Sequence, residues 1–217
     1  MAGKQSGEKI MKIILASKSP RRREILQNHG IDPVIMPTDT DESLPEGLGM
    51  TESVELLASR KAEACYEYIM SDPELRSRYA SRDDSHNDSG DDSGKDRYMI
   101  IGSDTIVWKD EIMGKPADHD DAFRMLDKIR GTNHFVVTGV CLIDAASGEK
   151  TVLSDTTTVY CVNYSDDDII EYISGEEPYD KAGSYAIQGK FGKYIDHIEG
   201  DYENVVGLPF YRIKEFL

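Results

Sequence analysis

The sequence predicts an α/β fold, in which a mixed twisted sheet with flanking helices forms two lobes around a central cleft. Short apolar strand patterns alternate with helix patterns in the first half of the chain, and two long strand patterns follow in the second half. The length of 217 residues is sufficient for one large domain or two small lobes with a real apolar core.

The first strand and the first helix follow one another closely. Residues 13–16 are apolar and partly β-branched, which is typical of a buried strand. Ser19 suits the N-cap and Pro20 suits the first helical position, so we expect a helix over about residues 20–29, ended by Gly30. Residues 32–38 then predict a second strand.

Three arginines, Arg21, Arg22 and Arg23, occupy the first turn of this helix. The amino end of a helix is positive, so three cations there conflict with the helix dipole. A phosphate chain would relieve the conflict, because helix amino termini and arginine forks both bind phosphate. The alternative is that the arginines are solvated or pair with nearby carboxylates.

A long helix over residues 51–70 is predicted next, with Thr51 as its cap. Its buried face is marked by Val54, Leu57, Ala58, Cys65 and Tyr68. Lys61 lies four residues after Leu57 and therefore on the same face. Either its stem runs along the surface to water, or its ammonium meets an anion. The loop before this helix carries Asp39, which we interpret as solvated, and Glu42.

The amino-terminal segment and one internal segment differ in composition from the rest of the chain. Residues 1–10 lack the apolar core of a secretory signal and are predicted to be a disordered tail. Residues 11–217 are predicted to form a single domain, interrupted at about residues 77–97 by an acidic low-complexity insert that we expect to be disordered. His86 lies in this insert without regular ligand spacing, which favours a solvated loop over a metal site.

Asp104 is the most informative single residue. It interrupts a strand-like apolar run over residues 98–108, and a carboxylate buried there needs an ion pair, a hydrogen bond or a metal. The chain turns at residues 109–111. Lys115 precedes Pro116, which favours extended backbone and lets the side chain reach back toward Asp104.

The second half predicts a helix capped by Asp118 and ended at Gly131, long strands over residues 132–145 and 150–164, and a helix over residues 166–174. A last helix is expected from about Pro209. His134 is interpreted as a structural residue. Gln188 can donate and accept at once, which suits a pyrimidine edge, although an ordinary exposed amide is the alternative.

Composition excludes several classes of function. A net charge of −16 argues against a general nucleic-acid or anionic-membrane surface. The cysteines, Cys65, Cys141 and Cys161, are odd in number and lack a CxxC pattern, so we expect reduced core residues and a cytoplasmic protein. No apolar stretch reaches the about 18 residues of a membrane span. P-loop, GxGxxG, GxSxG and HExxH motifs are absent from the sequence.

Several motifs resemble those of the Maf family of nucleoside triphosphate pyrophosphatases. They are LASKSPRRREIL (residues 15–26), Lys61-Ala62, SDTIVW with GKP (residues 103–108 and 114–116), AGSYAIQG (residues 182–189) and GDYENVVGLP (residues 200–209). The resemblance covers nearly the whole chain except the tail and the insert. It implies a Maf/inosine triphosphatase-like fold, hydrolysis of a nucleoside triphosphate to the monophosphate and pyrophosphate, and a house-cleaning role in the nucleotide pool.

The resemblance also implies roles for particular residues. Asp104 is expected to be the general base, with Lys61 and Lys115 as catalytic cations. Glu42 and Asp104 are expected to bind Mg²⁺ or Mn²⁺, hard ions that prefer oxygen. The residues expected to bind substrate are Ser17, Arg21, Arg22, Thr105 and Gln188.

Arg21, Thr105 and Gln188 resemble the subgroup that acts on dTTP and UTP, and modified pyrimidine nucleotides are further candidates. Two alternatives remain at this point: a nucleotide-sensing regulator of cell division, and a pyrophosphatase for modified purine nucleotides. Besides the nucleotide substrate, a second copy of the chain in a homodimer is a candidate partner, whereas nucleic acid and membrane are not expected.

Overall fold

The structure is a computed structural model, and it describes residues 11–80 and 97–217. The strands are Met11–Leu15 (β1), Val34–Ile35 (β2), Arg97–Trp108 (β3), Ile112–Met113 (β4), Asn133–Asp144 (β5), Lys150–Cys161 (β6) and Ile195–Glu199 (β7). The α-helices are Pro20–Asn28 (α1), Met50–Ser71 (α2), Pro73–Tyr79 (α3), His119–Ile129 (α4), Asp166–Ile173 (α5), Tyr202–Val206 (α6) and Phe210–Ile213 (α7). Short 3₁₀ helices cover Glu177–Asp180, Ala182–Ser184, Lys190–Tyr194 and Lys214–Phe216.

All seven strands form one mixed sheet in the order β2-β1-β3-β5-β6-β7, with β4 paired to β3. β1 runs parallel to β2 and β3, whereas β3, β5, β6 and β7 pair antiparallel. The early alternation of strands and helices accounts for the parallel part, and the long consecutive strands account for the antiparallel part. The predicted mixed α/β sheet is therefore confirmed.

The register of β3 creates an opening at the sheet edge. Its pairing with β1 stops at Leu15 and Ile101, and the amide of Ala16 closes that ladder on Ile101 O at 2.9 Å. β4 pairs only with Val107 and Trp108. Residues 103–106 of β3 therefore have no partner strand on this side, because the pairing with β1 has ended and the pairing with β4 has not begun. Side chains from both faces of β3 can reach this open edge.

α2 packs unusually close to the sheet. A Cβ on Gly102 would lie 2.3 Å from Ala58 O, and one on Gly139, in the neighbouring strand β5, would lie 2.4 Å from Val54 O. Both contacts are with helix backbone, which could yield only if the whole helix shifted. The two glycines therefore set the distance between α2 and β3, which matters because α2 carries Lys61.

The apolar core has two parts on the sheet face opposite α2. Near β1, residues of α1 and the C-terminal segment, such as Leu26 and Leu208, pack on Ile101. Further along β3, helices α4 and α5 and the 3₁₀ segments pack around Phe191 and Val107. A separate cluster fills the space beneath α2.

Several local predictions are confirmed. Gly30 follows α1 with a positive φ of 79°, and Asp118 caps α4 by accepting from the Asp121 amide at 2.9 Å. The three cysteines are buried free thiols. Burial raises the pKa of the Cys65 thiol to about 12, which keeps it protonated.

One predicted cap is confirmed in position and one is wrong. Ser19 is the N-cap of α1, as predicted, but its side chain makes no capping bond to any described residue; its amide instead donates to Ser17 Oγ at 3.2 Å. α2 begins at Met50 with Gly49 as N-cap, so Thr51 lies inside the helix. There Ser53 Oγ donates to Gly49 O at 2.7 Å, which places the first turn earlier than Thr51.

Some predicted boundaries also differ. The second strand is limited to two residues because the flanking Pro33 and Pro37 have no amide hydrogen for a ladder. The last helix starts after Pro209, as expected, but ends at Ile213 and continues as a 3₁₀ turn. Residues 77–79 belong to α3. The predicted tail and residues 81–96 of the predicted insert lie outside the described residues. Across residues 11–80 and 97–217, none of the helices has the length and apolar character needed to cross a membrane.

Candidate active site

A cleft of about 900 Å³ opens at the exposed edge of β3. It collects all nine site residues that the sequence predicts: Ser17, Arg21, Arg22, Glu42, Lys61, Asp104, Thr105, Lys115 and Gln188. They come from the turn after β1, α1, the loop after β2, α2, β3, the segment after β4 and the segment after the Ala182–Ser184 turn. The sheet register brings together residues that are far apart in sequence.

Lys61 joins the two predicted metal ligands. Its Nζ lies 2.5 Å from Asp104 Oδ1 and 2.8 Å from Glu42 Oε1. The side chains of Lys61 and Asp104 are only 15% and 14% exposed, whereas Glu42 is 65% exposed. The lysine therefore does not run out to water; its ammonium meets two carboxylates inside the cleft.

The hydrogen bond from Lys61 lowers the pKa of Glu42. Partial burial opposes this shift, and the positive charges of Lys115 and Arg22 reinforce it. Lys115 is exposed and lines the cleft on the side of β4. Because its charge lowers the pKa of Glu42, Lys115 lies within electrostatic range of that carboxylate, and its reach back toward Asp104 stays a prediction.

Arg22 connects three parts of the chain. Its Nε donates to Gly207 O at 2.8 Å, its Nη1 to Ser17 Oγ at 3.1 Å and its Nη2 to Thr105 Oγ1 at 3.1 Å. Burial lowers the pKa of Arg22; the charge of Asp104 opposes this shift, and the neighbouring Arg21 adds to it. A guanidinium in this setting still carries its proton, and it needs an anion more than a solvated one does.

Gly207 is held in place by a buried asparagine in α6. Asn204 donates from Nδ2 to Val136 O at 3.0 Å and to Thr157 Oγ1 at 2.9 Å, which fastens α6 to two strands. The Gly207 carbonyl, at the end of α6, is thereby fixed on Arg22.

Gln188 and Lys115 lie on segments that are tied together. The amide of Gly183 donates to Gly114 O at 3.0 Å, and Gly114 immediately precedes Lys115. His134, predicted to be structural, is buried on β5 with its Nε2 2.6 Å from Tyr185 Oη, which anchors the same segment. Burial lowers the pKa of His134 to about 3, so this histidine is neutral.

The cleft also contains charged residues that the sequence did not single out. Lys18 pairs with Asp39 at 3.5 Å, and both are exposed, as expected for Asp39. Lys181, only 14% exposed, forms an ion pair with Asp180. Burial alone would raise the pKa of Asp180, but Lys181 and Arg21 lower it. The charged pair directly before Ala182-Gly183 is a signal that could have identified Lys181.

The cleft is positive although the chain is strongly acidic. Among the described residues, six cationic side chains line it (Lys18, Arg21, Arg22, Lys61, Lys115 and Lys181) against four carboxylates (Asp39, Glu42, Asp104 and Asp180). The amino end of α1 also opens into it, since Ser19, Pro20 and Arg21 belong to its wall. Such a site can hold a polyanion in an otherwise acidic protein.

A divalent ion is compatible with the carboxylates present. Within the described ranges, 11–80 and 97–217, no group of three or more histidine, cysteine or acidic side chains is placed to hold a metal. Mg²⁺ usually takes one or two carboxylates and completes its shell with water and substrate phosphates. Glu42 and Asp104 converge on one cation, Lys61 Nζ, and so supply those two carboxylates.

Comparison with known proteins gives a consistent result. A family model described as Maf-like protein matches residues 12–217. The dTTP/UTP pyrophosphatase of Acetivibrio thermocellus is 41% identical over 208 residues, covering 96% of this chain and 94% of that protein. The dTTP/UTP pyrophosphatase of Alkaliphilus oremlandii is 40% identical over 204 residues, covering 94% and 93%.

A solved structure, the nucleoside-triphosphatase / dITP/XTP pyrophosphatase of Mycobacterium abscessus, aligns with a TM-score of 0.33 and 12% identity. The alignment covers 71% of this chain and 76% of that one, a likeness too low to bear on the fold.

Proposed function

The chain belongs to the Maf-like protein family, and on that premise we propose that it hydrolyses dTTP and UTP to the nucleoside monophosphate and pyrophosphate. The observation that carries the proposal is the convergence of Lys61, Asp104 and Glu42 beside Arg22 in a positive cleft. Clearing nucleotides from the cellular pool is the corresponding physiological role.

Binding follows from the charge of the cleft. A triphosphate brings about four negative charges, and charge-assisted hydrogen bonds contribute about 1.5–3 kcal/mol each. Arg22, Lys61 and Lys115 are the cations that act on the two carboxylates, so we assign the phosphates to them. Ser17, whose hydroxyl accepts from Arg22, completes the phosphate-binding side.

Asp104 is assigned as the general base for the attacking water. Its carboxylate is largely buried and, without nucleotide, Lys61 holds it through Oδ1, so that Oδ2 has no hydrogen bond to another described residue. Water attacks the α-phosphorus, its proton passes to Asp104, and the bond from the α-phosphorus to the bridging oxygen breaks. Pyrophosphate carries away that electron pair.

A bound Mg²⁺ or Mn²⁺ would offset the phosphate charge that builds up as the bond breaks. Glu42 and Asp104 are the residues that would hold it. We assign Glu42 to metal binding, and either Mg²⁺ or Mn²⁺ suits its oxygen ligands.

Base selection is assigned to Arg21, Thr105 and Gln188. Thr105 Oγ1 is fixed between Arg22 and Thr138 Oγ1, 3.0 Å away, so its hydroxyl has a defined orientation. Gln188 can donate to one pyrimidine carbonyl and accept from the adjacent N3–H, a combination that uracil and thymine share.

The test is pyrophosphate release from a panel of pyrimidine and purine triphosphates with Mg²⁺ and with Mn²⁺. We expect dTTP and UTP to rank first. Asp104→Asn should reduce turnover by about 10²–10⁴ without unfolding the protein. Asp39→Asn is the matched control, because it removes a fully exposed carboxylate from the same cleft.

Each other outcome has a distinct meaning. A ranking led by modified purine nucleotides would replace the pyrimidine assignment with the purine alternative. Nucleotide binding without pyrophosphate release would instead favour the alternative of a nucleotide-sensing regulator. Turnover by Asp104→Asn equal to that of Asp39→Asn would refute the assignment of the base.

A further inference from the structure

The ammonium of Lys61 occupies the point where the two predicted metal ligands converge. It contacts Asp104 Oδ1 at 2.5 Å and Glu42 Oε1 at 2.8 Å, one carboxylate from β3 and one from the loop after β2. A divalent ion shared by these carboxylates would need the same oxygens. Lysine and metal therefore compete for one position.

Lys61 cannot leave that position simply by moving with its helix. α2 is fixed on the sheet by the backbone contacts at Gly102 and Gly139. The lysine side chain is 15% exposed, so its stem is packed and only its end can turn. Glu42 is 65% exposed and lies on a loop, which makes it the partner that can separate most readily.

Charge determines when the lysine can turn. Without nucleotide, Glu42 and Asp104 are the anions that Lys61 contacts, and an approaching divalent ion would be repelled by the ammonium between them. A triphosphate brings new anionic oxygens into the cleft. Those oxygens offer Lys61 an alternative partner and supply further ligands for the ion.

We propose that Lys61 is the resident cation of the divalent-ion position, and that the ion binds only together with the triphosphate, which draws the ammonium away from Glu42 and Asp104. The inference rests on the proposed function, because it requires a triphosphate in the cleft. It assigns Lys61 a second task beside phosphate binding: it keeps the carboxylates paired between turnovers and excludes free metal.

The test measures Mn²⁺ binding by water-proton relaxation, which distinguishes protein-bound Mn²⁺ from Mn²⁺ on free nucleotide because the protein complex tumbles slowly. Wild-type protein, Lys61→Met and Lys18→Met are titrated without nucleotide. Lys18→Met is the matched control, since it removes one exposed cleft cation that pairs with Asp39 instead. Wild-type protein is also titrated with the α,β-methylene analogue of dTTP, which cannot be cleaved at that bond.

We expect Lys61→Met to bind Mn²⁺ at least about tenfold more tightly than wild type in the absence of nucleotide, and Lys18→Met to change the affinity by less than about threefold. We expect wild type to gain about tenfold or more in Mn²⁺ affinity when the analogue is present. Equal affinities of wild type and Lys61→Met, or an equal gain in Lys18→Met, would overturn the proposal.

Folding of each variant is checked by its thermal unfolding, and Lys61→Gln replaces Lys61→Met if the latter does not fold. The wild-type titration decides independently of any variant: tight Mn²⁺ binding that the analogue does not improve would overturn the proposal. An analogue that fails to bind at all would instead refute the proposed function, while the titrations without nucleotide would still report on Lys61.

Discussion

Replacement of Arg22 by methionine separates the role of its charge from its role in the fold. The guanidinium donates to Gly207 O, Ser17 Oγ and Thr105 Oγ1 at 2.8, 3.1 and 3.1 Å. Methionine retains an unbranched apolar stem but removes all three donors and the positive charge. Loss of three hydrogen bonds at about 1 kcal/mol each suggests at first a cost of about 3 kcal/mol.

The structure indicates a smaller cost in stability. Each of the three acceptors keeps a second partner: Ser103 Oγ at 3.0 Å, Thr138 Oγ1 at 3.0 Å and the Ser19 amide at 3.2 Å. Gly207 O and Ser17 Oγ keep a donor, whereas Thr105 Oγ1 loses its donor and keeps Thr138 Oγ1 as its acceptor, because Thr138 itself donates to Asn204 O. Against that loss, a charge that burial disfavours is removed. We therefore expect Arg22→Met to lower the free energy of unfolding by less than about 2 kcal/mol.

Activity should respond far more strongly. Removal of one preorganised donor to a transition-state charge typically costs about 10²–10³ in rate. We expect kcat/KM for dTTP to fall by that factor, measured as pyrophosphate release at low substrate concentration, with urea unfolding measured on the same samples. Arg23→Met is the matched control, because Arg23 is exposed on the same helix and its ion pair with Asp32 is 4.0 Å long.

Two results would refute this reasoning. A value of kcat/KM within about threefold of wild type would show that Arg22 does not contact the reacting phosphates. A loss of about 4 kcal/mol or more in unfolding free energy would show that Arg22 acts mainly as a structural joint.

Three further changes test other parts of the structure. Gly102→Ala should push α2 from the sheet, cost about 1–3 kcal/mol of stability and lower kcat/KM at least about tenfold. Gly175→Ala is the control: its added Cβ meets only one atom, at 3.5 Å, so neither stability nor kcat/KM should change measurably. A normal kcat/KM in a destabilised Gly102→Ala variant would contradict the link between helix position and activity. Gln188→Ala should narrow the preference for dTTP over purine triphosphates more than it lowers turnover, and an unchanged nucleotide ranking would count against its role. Burial lowers the pKa of His134 from 6.5 to about 3, so the unfolded chain binds this proton more readily than the folded chain, and stability should fall as the pH drops below 6.5. Between about pH 7 and about pH 5, the unfolding free energy of wild type, measured in urea, should fall by about 2 kcal/mol more than that of His134→Gln. Equal losses in the two proteins would refute this.

The sequence predicts the elements better than the contacts between them. Asp104 is recognisable because one carboxylate interrupts an apolar strand, and that signal is local. Its contact with Lys61 spans 43 residues and depends on how closely α2 approaches the sheet, which two glycines decide. Apolar periodicity contains no information about such a distance; motif resemblance supplied the grouping of the site residues instead.

The incorrect predictions have local physical reasons. Ser19 is the N-cap of α1, but the expected bond from its side chain is missing: the hydroxyl of Ser17 bonds to the Ser19 amide and to Arg22, so the start of α1 is organised by the turn before it. The bond from Arg22 to Gly207 O spans 185 residues, and nothing in either segment alone indicates it. Lys181 was overlooked because its ion pair with the adjacent Asp180 resembles ordinary surface charge.

The parallel pairing of β1 with β3 has a practical consequence for handling the protein. Met11 pairs with Arg97, so the first residues of β1 and β3 lie at the same end of the sheet. Asp104 lies seven positions further along β3, which corresponds to about 23 Å of strand. An affinity tag or a fluorophore introduced next to residue 80 would be attached away from the catalytic chemistry. The enzyme could thus be immobilised on a sensor chip through that end, with the linkage well separated from Asp104.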